Sequence, residues 1–422
     1  MKGFVNPMKS ITKTQIAIIA IIVIITVLCS GCISQPTTTE KESIKIGFSM
    51  SLSGKYMRTG EYSLEAIRTW VENVNNEGGI YVDEYGKRLK VSPVWYDDKS
   101  DKETAIRLYE KLILDDKIDM ALCPYSSALT FATTPITDKY GIVTFSHGGA
   151  SNAIFERGLK YVVQVLTPTT GYLADIVEMT LTLDPKPKTV AVIYENTEFP
   201  KSCAEAAINK AGELGIEVVL NEGYPVGVTD LSALLTKIKS KNPDMIMGGG
   251  YLPDGLLIIR QMKELDVNVK LVALLVAPPM PDFVNALGKD AEYVFGPTQW
   301  EKGVEYEVDY GPTGEEFVSM IKERWGHDPE YHHAEAYTAC LVLQKAIEEA
   351  GTLDSDKIRE TVNNLDFTTF FGKFKIYPDT GLQTGHKMVI VQIQNGERRI
   401  VAPSEVAEVT TLYPMSTWSE RG

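Results

Sequence analysis

Two short turns carry the residues best suited to hold a small anion. Cys123-Pro124-Tyr125-Ser126-Ser127 falls between a predicted strand and a predicted helix. Serine hydroxyls and backbone N–H groups without an acceptor inside the helix can there hold a carboxylate against the helix N-terminus. Serine is also a common helix cap, and the residues alone leave both roles open for Ser126 and Ser127. Ser146-His147-Gly148-Gly149-Ala150-Ser151 repeats the situation one strand later, with glycines that let a ligand approach the backbone. Two such turns on adjacent strands converge on one point.

Other chemistries find less support. Gly248-Gly249-Gly250 and Gly148-Gly149 match neither G-x-x-x-x-G-K-[ST] nor G-x-G-x-x-G, so a nucleotide site is not expected. Asp97, Asp98 and Asp101 resemble the start of a calcium loop, but Lys102 and Leu108 stand where that loop needs Gly and Glu. A solvated turn and helix cap is expected instead. His332-His333 with Glu335 lacks the H-E-x-x-H spacing of a zinc site and reads as a polar helix start. There is no G-x-S-x-G elbow and no cysteine with a histidine close in sequence. Cys123, Cys203 and Cys340 are far apart and odd in number, which suits three small core residues better than a disulfide framework. These absences favour a binder over an enzyme, with no cofactor and no metal.

The turns need strands to hold them. Short β-rich runs alternate with amphipathic helical patterns, which predicts an α/β protein with largely parallel sheets. Ile44–Met50, Val91–Tyr96, Asp119–Cys123 and Ile142–Phe145 read as strands of a first series. Leu64, Ile67, Trp70, Val71 and Val74 recur at helical spacing until Gly78-Gly79, and Ser100 with Glu103 forms a capping-box pattern for the next helix. A second series has strands at Thr189–Tyr194, Glu217–Leu220, Asp244–Met247 and Leu271–Val276, with helices near 200–214, 229–240 and 254–265. Gly215 stands where a helix C-cap is expected. Helices near 313–325, 333–350 and 354–364 follow, then hairpin-like strands around Phe374, Met388–Ile393 and Ile400.

The shared rhythm predicts two doubly wound, Rossmann-like lobes. With no long linker between the series, the chain should cross between lobes through a stiff multi-stranded hinge, leaving a cleft at the carboxyl ends of the strands. Residues 44–166 with 301–365 are assigned to lobe 1, 167–300 with 366–403 to lobe 2, and 404–422 to a polar tail.

The N-terminus bears on the compartment. Lys2, Lys9 and Lys13 precede an apolar run from Ile16 to Leu28, then Cys29-Ser30-Gly31-Cys32 and a Ser/Thr/Pro-containing stretch. This reads as a secretory signal. A helix of about 13 residues at ~1.5 Å each spans ~20 Å of a ~30 Å hydrocarbon core, short for a permanent span. An uncleaved anchor over Ile11–Ile33 is the alternative. Ser30 and Gly31 before Cys32 resemble a lipoprotein signal, in which the cysteine is lipidated, although Cys29 stands where such signals prefer Leu or Val. A redox role for Cys29-x-x-Cys32 needs a folded strand-to-helix junction and is set aside. Residues 1–32 are thus a signal and 33–43 a tether, placing the protein on the outer, periplasmic or extracellular face of the cytoplasmic membrane, held by lipid or signal.

The chain has 422 residues, 44% of them hydrophobic, which allows two or three domains with sizeable cores. Its 42 Lys+Arg against 56 Asp+Glu give a net charge of -14. That excess repels phosphate backbones, and no basic stripe offsets it, so nucleic acid is excluded as a partner.

Several segments, taken in order, carry a likeness to a known family: Ile46-Gly47-Phe48-Ser49-Met50-Ser51-Leu52-Ser53-Gly54, Asn76-Glu77-Gly78-Gly79-Ile80, Tyr96-Asp97-Asp98, Pro124-Tyr125-Ser126-Ser127, Gly141 to Ser151, and Gly250-Tyr251-Leu252-Pro253-Asp254. From Ile44 to Pro403 the chain resembles type I periplasmic solute-binding proteins of the branched-chain amino-acid (leucine/isoleucine/valine-binding) family of ABC transporters.

The resemblance implies two lobes that close on a small ligand, which is then passed to membrane permease subunits. It implies that Ser127 and the backbone around Gly148 and Ala150 hold the ligand's carboxylate. Ala150 stands where relatives often have Thr, and Ser151 is the neighbour able to supply the missing hydroxyl. Thr59, Phe199 and Tyr251 match positions that line the pocket in relatives. Acidic groups that meet an ammonium in amino-acid binders are replaced by Thr167 and Leu275. A buried ammonium without an anion is costly, so either another acid serves or the ligand has no amine. Aromatic faces at Phe199, Tyr251 or Trp300 offer a partial substitute, and core packing is the other reading of Phe199 and Trp300. The expected function is capture of a carboxylate-bearing solute, an amino acid or related acid, for an ABC permease. The alternatives are a sensing ectodomain for a separate signalling partner, a binder of an amine-free aromatic acid or amide, and a hydrolase on the same scaffold.

Overall fold

The computed structural model describes residues 2–4 and 41–421. The chain divides into two units, Met1–Glu42 and Ser43–Gly422, and every element below belongs to the second. The signal, the alternative anchor and Cys32 lie outside the described residues. Among the described residues no helix is long and apolar enough to cross a membrane.

The first sheet is built on β1 (Ser43–Met50), whose last five residues are all buried because helices cover both of its faces. Around it lie β2 (Ile80–Val82), β3 (Lys87–Asp97), β4 (Met120–Leu122), β5 (Thr144–Ser146) and β6 (Val162–Gln164), in the order β2-β3-β1-β4-β5-β6. All neighbours are parallel except the β2/β3 hairpin. The strand expected at Val91–Tyr96 begins earlier, at Lys87, and β2 and β6 are additional. Each of the two is three residues long, too short for a period-2 pattern to register.

Helix α1 (Met57–Asn76) buries Leu64, Ile67, Trp70 and Val74 and stops before Gly78 and Gly79, both at positive φ. Helix α2 (Lys102–Leu114) is capped by Asp101, which accepts from Thr104 N at 2.8 Å, one residue after the expected Ser100. Ser100 instead ties the preceding loops together, its hydroxyl donating to Ser53 O at 2.7 Å and accepting from Tyr56 N at 3.0 Å. Asp98, expected in a solvated turn, is fully buried and accepts from the Ser49 and Ser51 hydroxyls at 2.8 and 2.6 Å and from Ser100 N at 2.9 Å. Three donors offset the cost of burying it and pin the loop that follows β1. Helices α3 (Ser127–Lys139) and α4 (Asn152–Phe155) follow β4 and β5.

After α5 (Tyr172–Met179) the chain enters the second sheet: β7 (Thr189–Glu195), α6 (Glu198–Glu213), β8 (Glu217–Tyr224), α7 (Ser232–Lys241), β9 (Met245–Gly249), α8 (Leu252–Glu264), β10 (Leu271–Leu274), α9 (Pro281–Leu287) and β11 (Phe295–Thr298). The strands β8-β7-β9-β10-β11 are parallel. The chain then supplies α10 (Gly314–Trp325), α11 (Tyr331–Ala350) and α12 (Ser355–Val362), with α11 laid against α1 of the first lobe. After the small hairpin β12 (Phe367–Thr369) and β13 (Gly372–Phe374), it adds β14 (Val389–Gln394) and β15 (Glu397–Ala402) antiparallel to the edge of the second sheet. The fold is therefore mixed α/β with two lobes.

The crossing segments are bonded to one another. Gln299 accepts from Thr167 N at 3.0 Å and donates to Thr167 O at 3.2 Å, while Gln383 donates to Val165 O at 2.9 Å. Residues 404–421 lie on the second lobe, where Met415 is buried and Trp418 donates to Val267 O at 2.8 Å. Cys123, Cys203 and Cys340 are free and buried.

Candidate functional site

In each sheet the strand order reverses about one strand, β1 in the first and β7 in the second. Loops leaving the carboxyl ends at such a point diverge and open a crevice between them. The candidate cavity uses these ends: Tyr125, Ser126 and Ser127 after β4, Gly148 after β5, Leu166 after β6, Phe199 after β7, Tyr251 after β9 and Val276 after β10. Tyr172 from α5 and Tyr331, His332 and Glu335 from α11 complete the lining. The room left free in this closed arrangement is about 10 Å³, roughly that of one water molecule, so a larger guest requires the lining side chains or the lobes to part.

One wall presents hydrogen-bond donors. Ser127 Oγ accepts from Ala150 N at 3.0 Å and Ser151 N at 3.1 Å, which turns its own hydroxyl proton outward as a donor. Around it lies the first turn of α3, whose N–H groups have no acceptor within the helix. Ser126 caps that helix, with its Oγ 3.4 Å from Leu129 N, and holds φ at 85°. On the other lobe Val276 sits at φ 56°, inside a three-residue turn closed by Ala277 N donating to Leu275 O at 2.5 Å. Positive φ is costly for serine and more so for a β-branched residue. Both strained residues face the cavity.

The opposite character comes from α11. Glu335 is 1% exposed and its Oε2 has no hydrogen-bond partner. Burial, with the nearby Glu330 adding to it, pushes its carboxyl well above the usual carboxylate range. Glu330 is buried too, but the charges and hydrogen bonds of His332 and His333 outweigh burial and hold its carboxyl at about 2. His332 Nδ1 is 2.7 Å from Glu330 Oε2, and its Nε2 is 3.0 Å from the Tyr125 hydroxyl. The pair His332-His333, expected at a polar helix start, does open α11 and is interior. Five aromatic side chains, Tyr125, Tyr172, Phe199, Tyr251 and Tyr331, surround the remaining space.

The lobes touch over the cavity. Lys55 pairs with Glu195, and its ammonium lies 4.3 Å from the Tyr251 ring centroid. Tyr56 packs edge-on to Tyr251 at 4.8 Å, Ser151 Oγ donates to Glu198 at 2.9 Å, and Tyr62 OH donates to Asp282 at 3.0 Å. Each contact joins a residue of the first lobe to one of the second, so the clamp is closed.

Of the residues singled out from sequence, Ser126, Ser127, Gly148, Phe199 and Tyr251 line the cavity. Ala150 and Ser151 stand behind Ser127, and Ser146 closes its own turn through Gly149 N at 3.1 Å. Thr59 is turned into α1, its hydroxyl donating to Tyr56 O at 2.8 Å. Thr167 sits in the hinge. His386 Nε2 donates to Phe371 O at 2.9 Å, and burial lowers the ring to about 4, so its Nδ1 accepts from the Thr167 hydroxyl at 2.6 Å. Leu275 and Trp300 are core residues, Trp300 packing edge-on against Phe317 and Phe370. Glu335, Tyr331 and Tyr172 went unnoticed as lining. Only the apolar neighbours of Glu335 on α11 hinted that it points inward.

A two-lobed clamp with donors at strand ends defines a class, that of proteins that close two lobes on a small solute. The sequence profile of the periplasmic binding protein family matches residues 43–398, and the chain belongs to that family, as a type I protein of its branched-chain amino-acid group. Its relatives are solute-binding proteins rather than enzymes; the family is extracytoplasmic and works with ABC permeases. The chain is 26% identical over 391 residues to the Leu/Ile/Val-binding protein homolog 8 of Brucella abortus, covering 89% of this chain and 92% of the relative. Among solved structures it is similar to the leucine-binding protein LivK of Thermotoga maritima, with TM-score 0.75, 24% identity and coverage of 85% of this chain and 98% of that one. A solute-binding protein of an ABC transporter from Rhodopseudomonas palustris, solved with p-hydroxybenzoic acid, aligns with TM-score 0.74 and 18% identity over 90% of this chain and 99% of that one.

Proposed function

We propose that this protein captures a small amino acid in the closed cleft and delivers it to an ABC-transporter permease from the outer face of the cytoplasmic membrane. The observation that carries the reading is the pairing, in one cavity, of the Ser127 hydroxyl and α3 N-terminus with the partnerless buried oxygen of Glu335. The first suits a carboxylate and the second an ammonium. Tyrosine faces around them add cation–π attraction and cover the side chain. Glu335 fills the role that Thr167 and Leu275 leave vacant. The named function of the Brucella relative supports the same substrate class.

A second reading is favoured by the five aromatic side chains and by the raised Glu335 carboxyl, which in its neutral form donates a hydrogen bond. An amine-free aromatic acid would then be the guest, as in the Rhodopseudomonas palustris protein.

Thermal unfolding against amino acids, matched 2-oxo acids, benzoic acids, amides and polyols tests both readings. A true solute raises the midpoint, since binding the folded state alone stabilises it by RT ln(1+[L]/Kd). A midpoint unmoved by the whole panel would sink the proposal. Uptake by membranes carrying the permease tests delivery, and intact-mass analysis of membrane-extracted protein tests lipid on Cys32.

A further inference from the structure

We propose that Glu65, His327 and His333 form a binding site for one divalent transition-metal ion of the zinc class. The sequence separates these residues, so no motif announces them. The fold brings α1, the loop before α11 and the first turn of α11 together, and places both imidazole Nε2 atoms 3.1 Å from Glu65 Oε2. The three ligand atoms all lie within 4.8 Å of one another. An ion bound at about 2.0–2.2 Å to each needs donors roughly 3.4 Å apart in tetrahedral geometry, so small side-chain shifts suffice.

The ring orientations suit the case. His327 Nδ1 is 3.1 Å from Asp328 O, a carbonyl that can only accept, which leaves Nε2 as the nitrogen that faces Glu65. His333 Nδ1 accepts from Glu330 N at 3.2 Å and lies 3.4 Å from Glu330 Oε1, so metal on Nε2 requires the ring proton to move to Nδ1 and turn to that carboxylate, an orienting contact common among metal-bound histidines. Two imidazoles and one carboxylate favour zinc, cobalt or nickel over calcium or magnesium. His333 is buried while His327 and Glu65 are partly exposed, which leaves a way in and an open coordination position. The site shares no residue with the solute cavity and does not depend on the solute reading. It is one carboxylate away from it, because Glu330 also bonds His332 in the cavity wall.

The competing account is that ring protons alone hold this cluster. Tag-free full-length protein, stripped with chelator, should be titrated at neutral pH with Co2+ followed by absorbance and with Zn2+ followed by equilibrium dialysis and metal analysis. One equivalent should bind, with d–d bands typical of nitrogen and oxygen ligands. His327→Ala and Glu65→Gln should each weaken binding by at least roughly tenfold while the metal-free thermal midpoint stays near that of the parent. Failure to bind one equivalent, binding unaffected by both variants, or a thiolate charge-transfer band marking cysteine ligation would each overturn the proposal.

Discussion

Replacing Glu335 with glutamine should act in opposite directions on the free protein and on its complex. In the free protein the carboxyl is 1% exposed, lacks a partner on Oε2 and is raised well above its ordinary value by burial and by Glu330. Below the unfolded-state pKa both states carry the proton and the residue is neutral to stability. Above it the unfolded chain ionises while the folded one stays protonated. Each pH unit in that window therefore costs the folded state up to about 1.4 kcal/mol. Glutamine has no such slope, so Glu335→Gln should be the more stable protein as pH rises from about 5 toward neutrality, and the two should converge in acid. An amino-acid solute reverses the comparison. Losing the buried partner of its ammonium costs about 2–5 kcal/mol, or roughly thirty-fold to several-thousand-fold in Kd. The matched 2-oxo acid should lose nothing. Calorimetry in buffers of different ionisation enthalpy should also detect proton release when the parent binds the amine. The reasoning fails if Glu335→Gln binds amino acids as tightly as the parent, or if the stability difference has no pH dependence.

Ser127→Ala removes the acceptor of two buried N–H groups, each costing about 1–3 kcal/mol when orphaned, so the thermal midpoint should fall and every carboxylate ligand should weaken, amine or not. Lys55→Met leaves the 1%-exposed Glu195 without its partner across the cleft; a loss of about 1–3 kcal/mol from the closed state should appear as a larger solute-free radius of gyration in X-ray scattering, and an unchanged curve would deny the pair a closing role. Asp175 is raised to about 7 by burial and by Glu178, so its effect runs opposite to that of a paired acid. Asp175→Asn should add up to about 4 kcal/mol in urea unfolding at pH 8 and nothing near pH 3. Thr167→Val deletes a hydroxyl bonded to His386 in the hinge; about 1 kcal/mol of stability should be lost with solute preference retained, which competition calorimetry would check.

The closed cleft explains why these groups act together. On the proposed reading, a solute that touches Ser127 on the first lobe and Tyr251 on the second does so only when the lobes meet, so its binding energy would shift the population toward closure. The two strained residues Ser126 and Val276 line the same cavity.

The α/β alternation, the two lobes and the serine turns were legible because they rest on local signals. Period-2 and period-3.6 patterns and cap chemistry need only neighbours in the chain, which is why Ser126 and Ser127 could be placed between β4 and α3. The same locality misled at Ser100, where Asp101 one residue on made the better cap, and at Asp98, whose partners Ser49 and Ser51 lie at and just past the end of β1. It also could not show that Thr167 would spend its hydroxyl on His386, far along the chain. Glu335 enters the cavity because α11, after the chain has laid down β7 to β11 of the second sheet, returns to pack on α1; the same packing seats His333 beside Glu65. Composition and pattern thus determined which strands and turns form, since those energies are settled within a few residues. Which charges share a buried space was decided by helix packing across the sheets, where contacts join residues from distant parts of the chain.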